Sequence, residues 1–401
     1  MTVLTSSARW MWLAVAFTAT FTAINTVNAI NKGGDAAVFF EGGRRLLTAE
    51  PLYAGSSAAS GFIGPPFQAV FFAPFAAVAG ASEVAARVLW HLTGIACLIA
   101  GIAFSARTWW AARGELGLPP KPYLPSLFVP LVAVLLPMQT NFEHQNMNPL
   151  LLALIAAATW LLVRGKDAGA GGLLGAAIAL KVFPALVVLV LIARARWRAT
   201  AIAIVTAVVL TLIPLAIYGL DGYTDLARDF WRLANSGFPL RGNNQSLLAA
   251  LDRWQFGYPQ DDVREPAAGA PAVVLVTMLV GTLVWMGSRW QRPALSTTAL
   301  QMFAALTLAV VMSPIAWDHY WLLLFPALVA IHGSRDDRLL GAAGGYIFWA
   351  AAVLISGFSP LLIGQHGFNT IRRLSSYTIA ALLIFAALVW LCGIVRRGAS
   401  R

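Results

Sequence analysis

A carboxylate stands at the mouth of the first apolar segment, where it could serve as a general base. Asp35 follows Gly33 and Gly34, just after the hydrophobic stretch near residues 9 to 30. An ionised carboxylate there could take the proton from an acceptor hydroxyl while that oxygen attacks a sugar carbon. Aspartate is also a favoured N-cap for a following helix. The sequence alone supports these two interpretations equally.

A lysine stands between two short apolar segments that otherwise lack ionisable residues. Lys181 separates the stretches near 169 to 181 and 184 to 194. An ionisable residue at membrane depth is costly and is a functional hypothesis by default. A cation there suits a phosphate or a pyrophosphate. The structural alternative is a side chain that snorkels to the surface, which Pro184 and the apolar run after it make less favourable.

Three further groups of polar residues lie where apolar segments should reach the outer face. His319, beside Asp318 and Trp317, could donate to a phosphate or a sugar hydroxyl. An interfacial aromatic belt explains Trp317 but not the adjacent acid and imidazole. A solvated loop would explain the group at 241 to 245 equally well. The argument therefore rests on the convergence of all three groups at one face of the membrane. The second and third groups are His144, Gln145, Asn146 and Asn148, and Arg241, Asn243, Asn244 and Gln245.

Several well-known catalytic signatures are missing from the sequence. It has no glycine loop of the nucleotide-binding type, no His-x-x-x-His pair and no Gly-x-Ser-x-Gly elbow. It also has no Asp-x-Asp pair of the kind that holds a metal with a nucleotide sugar. We therefore expect neither a metal nor a cofactor. If a sugar is transferred, its donor should be a lipid phosphate reached from within the membrane.

Membrane helices must position these groups. Of the 401 residues, 59% are hydrophobic and 11% are charged, against roughly 25% charged in ordinary soluble proteins. Apolar runs of about the length that crosses a bilayer recur from end to end. We predict an all-α, polytopic integral membrane protein with about 11 to 13 transmembrane helices. No polar stretch is large enough for a soluble domain, so residues 1–401 should form one domain.

The charge distribution predicts the topology. The net charge of +11 lies in short clusters between apolar segments, which argues for cytoplasmic loops beside anionic lipids and against a nucleic-acid partner. The mixed pattern of the first outer loop predicts an interfacial helix. Two full crossings between 63 and 106 would leave Arg107 and Arg113 outside, so either one segment fails to cross or this loop is an exception. The loops predicted outside, at the extracytoplasmic face of the cell membrane, are 31–62, 219–271, 314–320 and 357–374.

Several of these residues lie in runs that resemble glycosyltransferase family 87. The runs occur in the expected order and together span most of the chain. The runs depart from the family pattern at two positions. Gly64 stands where an aromatic residue is usual, and His144 stands where a Gly-Gln pattern is usual. Both departures bear on the identity of the donor and the acceptor, and neither affects the expected fold. The matching runs are Asp35 to Tyr53 with Pro65 and Pro66, Gln145 to Asn148, Ala179 to Pro184, Asn243 to Leu247 and Ser313 to His319.

The resemblance implies a GT-C fold with its active site at the outer membrane face. It also implies a polyprenyl-phosphate sugar donor, typically carrying mannose, and no metal requirement. It would make Asp35 the base of an inverting displacement, with Lys181 and His319 at the donor phosphate. Further candidate donor-binding or acceptor-binding residues are Arg44, Tyr53, His144, Asn146, Arg241, Asn243, Gln245 and Asp318.

We therefore predict a membrane glycosyltransferase that moves a sugar, with mannose expected, from a polyprenyl-phosphate donor to a lipid or glycan acceptor. A transporter or lipid flippase is the rival from another class, and it predicts internal repeats and broken polar helices at the midplane. Here we find no convincing repeat, and the polar residues cluster toward one face. A glycan ligase would differ only in its acceptor. A purely structural protein predicts that Asp35 and Lys181 can be replaced without loss.

Overall fold

A computed structural model describes residues 6–57, 60–118, 123–240, 242–257, 263–264, 269–292, 294–335 and 339–398. Almost all regular structure in these ranges is helical, which confirms the all-α prediction. The first helices are α1 (Ser6–Asn31), α2 (Gly34–Leu47), α3 (Pro66–Ala81), α4 (Glu83–Glu115), α5 (Tyr123–Ala133), α6 (Leu135–His144), α7 (Asn148–Val163), α8 (Asp167–Leu180) and α9 (Val188–Ala193).

The second half continues in the same way. A 3-10 turn at Phe183–Val187 leads into α9, another at Asp318–Leu324 leads into α15, and a π turn at Val353–Gly357 ends α16. Two short strands, β1 (Phe238–Pro239) and β2 (Val263–Arg264), pair antiparallel. The helices are α10 (Trp197–Leu212), α11 (Leu215–Ala234), α12 (Leu247–Phe256), α13 (Gly269–Arg289), α14 (Ala294–Met312), α15 (Phe325–Gly333), α16 (Gly341–Ala352), α17 (Pro360–Arg373) and α18 (Ser376–Gly398).

Helices of membrane-spanning length and apolarity confirm a multi-pass membrane protein. Within the described ranges, four helices meet this standard, namely α4, α13, α14 and α18. The number rises to seven if three sharply bent pairs each count as one span: α5 with α6, α10 with α11, and α16 with α17. Shorter apolar segments, α3, α7, α8 and Phe183–Ala193, complete the bundle.

Contacts between helix termini distinguish the two ends of the bundle. At one end, Arg87 at the start of α4 donates to the carbonyl of Ile30 at 3.0 Å. At the other, Glu115 at the end of α4 accepts from the N–H groups of Leu295 and Ser296 at 3.0 and 2.8 Å. We call the first the site end and the second the basic end. The basic end also holds Arg113, Arg164, Lys166, Arg194, Arg196 and Arg289.

Helix α3 resolves the topology that the sequence left open. It begins at the site end, where Gln68 contacts the sulfur of Met147 at 3.8 Å. It ends just before α4, whose first turn is also at the site end. With 16 residues, it is about 24 Å long, shorter than the roughly 30 Å bilayer core. Both ends of α3 therefore lie at the site end, and α3 does not cross the membrane. Of these two helices, only α4 carries Arg107 and Arg113 toward the basic end.

A helical hairpin delivers Lys181 to the site end. Helix α8 starts at the basic end, where Asp167 pairs with Arg196 at 3.3 Å. The segment Phe183–Ala193 runs back to that end, so Lys181 is at the tip. A Cβ at Gly171 or Gly175 would lie within 2.5 Å of a carbonyl of α10. Only glycine permits this close packing, which holds the hairpin against its neighbour.

Amphipathic helices cover the site end. Helix α2 forms within the loop where an interfacial helix was predicted, burying Phe39, Phe40 and Leu46 while Glu41 and Arg44 face outward. Helices α11 and α17 each follow a bend of 89° from the preceding membrane segment. Both expose large apolar side chains at this end of the bundle. These side chains include Leu220, Trp231, Leu361 and Leu362.

Candidate active site

A single large cavity of about 2220 Å³ opens at the site end. Its walls include many apolar side chains from α1, α5, α11, α16 and α17, and its polar groups lie where α2, α6, α8 and the Asp318–Leu324 turn meet. Seven of the eleven residues singled out in the sequence line this cavity. They are Asp35, His144, Asn146, Lys181, Asn243, Asp318 and His319.

The carboxylate of Asp35 faces this cavity from the first turn of α2. The helix is capped by the backbone of Gly33 without a side-chain bond, so the N-cap role is not observed. Gly34 has φ +51°, and a Cβ there would lie 2.5 Å from the carbonyl oxygen of His144. This close approach brings α2 against α6. As a result, Asn146 Nδ2 donates to Asp35 Oδ2 at 2.6 Å.

Asn146 connects this carboxylate to the lysine. Its Oδ1 accepts from Lys181 Nζ at 3.4 Å, and its carbonyl accepts from the amide of Asn141 at 3.2 Å. The Lys181 ammonium also stands 3.9 Å from the ring centroid of Tyr320, a favourable cation–π arrangement. The head group therefore points into the cavity instead of snorkelling out. No carboxylate in the described ranges forms an ion pair with Lys181, which leaves its charge available to an anion.

The second polar corner of the cavity is built around His319. Its imidazole is buried, neither ring nitrogen has a hydrogen-bond partner in the described part of the chain, and its ring lies 5.6 Å from that of His144. Asp318 Oδ1 is 3.7 Å from His319 Nδ1, and Asp318 Oδ2 pairs with Arg372 Nη2 at 2.9 Å. Buried polar groups normally find partners. Unpaired imidazole nitrogens beside a cavity are thus suited to a ligand.

Asn244 and Gln245 serve a different purpose, because backbone partners occupy them. Asn244 donates to the carbonyls of Pro239 and Pro314 at 2.8 and 3.0 Å, and accepts from the N–H groups of Ser246 and Ala316 at 3.1 and 3.0 Å. Gln245, also buried, donates to the carbonyls of Gly242 and Arg372. These bonds join residues 243–246 to residues 314–318, and we call this pair of segments the loop latch.

Three other predicted residues do not reach the cavity lining. Arg44 lies on the outer face of α2, paired with Glu41 and Glu50 at 2.8 and 2.7 Å. Its hydrogen bond lowers the pKa of Glu41 from the ordinary 4.5 to about 2. Tyr53 is buried and donates to the carbonyl of Gly64 at 2.8 Å, while Gln245 belongs to the latch. The eleventh residue, Arg241, lies outside the described residues.

The structure adds site residues that were not singled out from the sequence. Arg372 lines the cavity from the last turn of α17 and pairs with Asp318. Its sequence signal was two adjacent arginines in a loop predicted outside, against the usual charge bias. Tyr320 looked like an interfacial aromatic. Gln139 and Glu143, on the cavity face of α6, had no signal beyond their position between two predicted membrane segments.

The apolar part of the cavity wall is exposed at the surface of the bundle. Leu361 and Leu362 on α17 and Trp231 on α11 are 97%, 72% and 71% exposed, and all three line the cavity. In a membrane these side chains would face lipid. A cavity with cationic and carboxylate groups at one place and apolar walls open to the bilayer suits an amphiphile with a phosphate head group and a hydrocarbon tail.

No group of three or more histidine, cysteine, aspartate or glutamate side chains in the described ranges could hold a metal ion. The absence of a metal requirement itself stays a prediction. The chemistry available to the described residues is a carboxylate with an amide partner, an unpaired ammonium, an imidazole and a paired guanidinium. These groups suit proton abstraction and the binding of an oxyanion.

Comparisons with known proteins agree with this chemistry. Residues 62–314, more than half of the chain, match the model of glycosyltransferase family 87. A polyprenol-phosphate-mannose-dependent alpha-(1-2)-phosphatidylinositol mannoside mannosyltransferase of Mycobacterium tuberculosis is 28% identical over 346 residues, which are 83% of this chain and 77% of that protein. Its namesake in Mycolicibacterium smegmatis is 29% identical over 322 residues, covering 74% of this chain and 68% of the relative.

A third relative differs in its stated acceptor. This Mycobacterium tuberculosis protein is a polyprenol-phosphate-mannose-dependent alpha-(1-2)-phosphatidylinositol pentamannoside mannosyltransferase. It is 25% identical over 287 residues, which are 69% of this chain and 60% of the relative. The family match supports an enzyme over the transporter alternative. The chain belongs to glycosyltransferase family 87 and is a membrane glycosyltransferase.

Proposed function

We propose that this enzyme transfers mannose from a polyprenyl-phosphate donor to a lipid-linked acceptor at the extracytoplasmic face of the cell membrane, with inversion and without a metal. The names of the relatives support the donor, and two of them name phosphatidylinositol mannosides as acceptors. The observation that carries the mechanism is the chain of contacts from Asp35 through Asn146 to Lys181 inside the cavity. It puts a base and a free cation on the two sides of one amide.

The donor phosphate binds at the cationic groups in this proposal. Lys181 has no carboxylate partner in the described ranges, so a phosphate gains its full attraction without displacing an ion pair. His319 offers ring nitrogens that are buried and unbonded. Arg372 is held by Asp318 close to His319. The polyprenyl chain then lies along the exposed apolar wall that includes Leu361.

Asp35 acts as the general base. The acceptor hydroxyl oxygen attacks the anomeric carbon and forms the new glycosidic bond, while the bond from that carbon to the phosphate oxygen breaks. The hydroxyl proton passes to Asp35, and the electron pair of the broken bond leaves with the polyprenyl phosphate. The hydrogen bond from Asn146 fixes the orientation of the carboxylate in the cavity. Lys181 and His319 stabilise the charge that develops on the phosphate, so the leaving group needs no separate acid.

The charge distribution supports an assignment of the side of the membrane on which the cavity opens. The cavity lies at the site end, and clusters of arginine and lysine lie at the opposite end. Basic loops are retained in the cytoplasm. We therefore assign the cavity to the extracytoplasmic side, where a donor carried by a lipid remains available because it needs no soluble nucleotide.

The test is transfer of radiolabelled mannose from polyprenyl-phosphate mannose by purified protein with a chelator present. Phosphatidylinositol mannosides serve as acceptors, and polyprenyl-phosphate arabinose serves as a second donor. Asp35→Asn is compared with Asp225→Asn, a matched change on the exposed face of α11. We expect labelled glycolipid from the wild type and from Asp225→Asn, and loss of at least about a hundredfold in Asp35→Asn.

Other outcomes would contradict specific parts of the proposal. Product formed only from the arabinose donor would overturn mannose as the sugar. Product that requires an added divalent metal would overturn metal independence. Equal rates in Asp35→Asn and the wild type would remove Asp35 from the mechanism. Transfer of a whole glycan, with none of a single sugar, would favour the ligase alternative.

A further inference from the structure

One carboxylate in the cavity has no part in the chemistry proposed above. Glu143 lies in the last turn of α6 and lines the cavity together with Gln139, one turn earlier on the same face. None of the ion pairs in the described part of the chain includes Glu143. A negative charge at the C-terminal end of a helix opposes the helix dipole. Glu143 is therefore placed against the stability of its own helix.

A relay of amides holds this carboxylate in position. Asn25 of α1 is fully buried, and its Nδ2 donates to the carbonyl of Phe21 at 2.9 Å and to Gln139 Oε1 at 3.2 Å. With its oxygen engaged, Gln139 presents its Nε2, which donates to Glu143 Oε1 at 3.1 Å. The hydroxyl of Thr140, also on α6, donates to the carbonyl of Leu136. Glu143 Oε2 keeps its capacity to accept from a ligand in the cavity.

The charge of this group selects its ligand. A carboxylate repels the donor phosphate, which has Lys181 and His319 for partners elsewhere in the cavity. It accepts strongly from hydroxyl groups, since hydrogen bonds to an ionised acceptor are shorter and stronger than neutral ones. A neutral polyhydroxyl group is thus a better ligand for Glu143 than a phosphate.

We propose that Glu143 and Gln139 form a subsite for the ring hydroxyls of the acceptor, and that this pair determines acceptor specificity. The inference rests on the proposed function. In an inverting displacement the acceptor approaches the anomeric carbon from the side opposite to the phosphate, which places it on the Asp35 side, away from Lys181. Glu143 directly precedes His144, whose carbonyl touches Gly34 beside Asp35. Glu143 is therefore one residue away from the contact that positions the base, in the same cavity.

Steady-state kinetics with the acceptor and the donor varied separately would test the subsite. The variants are Glu143→Gln, which keeps the shape and removes the charge, and Gln139→Leu, which removes the relay. Asp225→Asn is again the matched exposed control. We expect Glu143→Gln to raise the KM for the glycolipid acceptor about tenfold and to leave the KM for polyprenyl-phosphate mannose unchanged. Gln139→Leu should change the same constant by a smaller factor.

Thermal unfolding of the same variants separates this role from a structural one. Because Glu143 opposes the helix dipole, Glu143→Gln should keep or raise the wild-type unfolding midpoint. A lowered midpoint with an unchanged acceptor KM would overturn the subsite in favour of a structural role. A raised donor KM with an unchanged acceptor KM would overturn the assignment to the acceptor. Failure of the wild type itself to transfer mannose would instead count against the proposed function.

Discussion

Two polar regions at the same end of the bundle use similar residue types in opposite ways. In the loop latch, the amide of Asn244 has a backbone partner for each of four hydrogen bonds. In the cavity, counting only partners among the described residues, Lys181 has one weak hydrogen bond and an aromatic ring, and His319 has no hydrogen bond to its ring nitrogens. The latch gains stability from complete pairing. The cavity keeps unpaired capacity, which a substrate can use.

Among substitutions in the cavity and the loop latch, we expect the largest effect on activity at Lys181. Lys181→Met keeps much of the apolar stem and removes a charge that forms no direct ion pair in the described ranges. We expect kcat/KM for the polyprenyl-phosphate donor to fall by a hundredfold or more, on the order of 3 kcal/mol, with little change in the unfolding midpoint. Lys166→Met, at the basic end, is the matched control and should retain activity. Loss of folding in Lys181→Met with normal activity of the folded fraction would contradict this role.

The latch should respond in the opposite way. Asn244→Ala leaves four backbone groups without their partner, and each such group costs about 1 kcal/mol or more when it is buried. We expect the free energy of unfolding in detergent to fall by about 3 kcal/mol. Asn369→Ala, an exposed asparagine on α17, is the control and should change it by less than about 0.5 kcal/mol. Unchanged stability in Asn244→Ala would show that the latch is not a structural element.

Arg372 lies between the two regions, because its side chain faces the cavity and its carbonyl accepts from the latch residue Gln245. Arg372→Gln removes the guanidinium and leaves the buried carboxylate of Asp318 without its cation. We expect about a tenfold rise in the donor KM. The neighbouring Arg373→Gln makes the same charge change on an exposed residue and should have little effect. Equal effects of both variants would indicate a general electrostatic contribution instead of a specific contact.

The smallest effect concerns the outer face of α2. Hydrogen bonds from Arg44 and Arg45 lower the pKa of Glu41 from 4.5 to about 2. The ion pair therefore contributes fully above pH 4.5, and the contribution is lost as the pH falls toward 2. Since the Glu41 side chain is 40% exposed, we expect less than about 1 kcal/mol. The difference between the unfolding midpoints of wild type and Glu41→Gln should be full at pH 6, shrink as the pH falls below 4.5 and disappear only below about pH 2; a constant difference would contradict the assignment.

Much of the fold prediction rested on hydropathy, because the chain needs a long apolar run wherever it crosses a bilayer. Helices α2 and α17, and most of α11, lie within loops that were predicted to be outside, whereas the bends after α5 and α10 fall inside stretches predicted to span the membrane. Whether α3 crosses the membrane could not be predicted, because this depends on contacts such as that of Gln68 with Met147, which are distant in sequence. The same segment in another bundle could cross the membrane.

The site was only partly predictable for a related reason. Charges and imidazoles near membrane segments, such as Lys181 and His319, stand out because burial is costly for them. Amides carry no such signal. The sequence run from Asn243 to Gln245 looks like a binding motif, yet the amides of Asn244 and Gln245 bond backbone groups, and of the three only Asn243 lines the cavity. Arg372 was missed because its role depends on the position of Asp318, more than fifty residues away in the chain.

The most direct test of the account is a single-turnover measurement with donor already bound, performed on Asp35→Asn and Asn244→Ala in parallel and expressed per folded molecule. The account predicts that Asp35→Asn folds normally and loses the chemical step by at least about a hundredfold. It predicts that Asn244→Ala is less stable but retains most of the wild-type rate in its folded fraction. A normal rate in Asp35→Asn, whatever the behaviour of the latch variant, would contradict the assignment of Asp35 as the catalytic base.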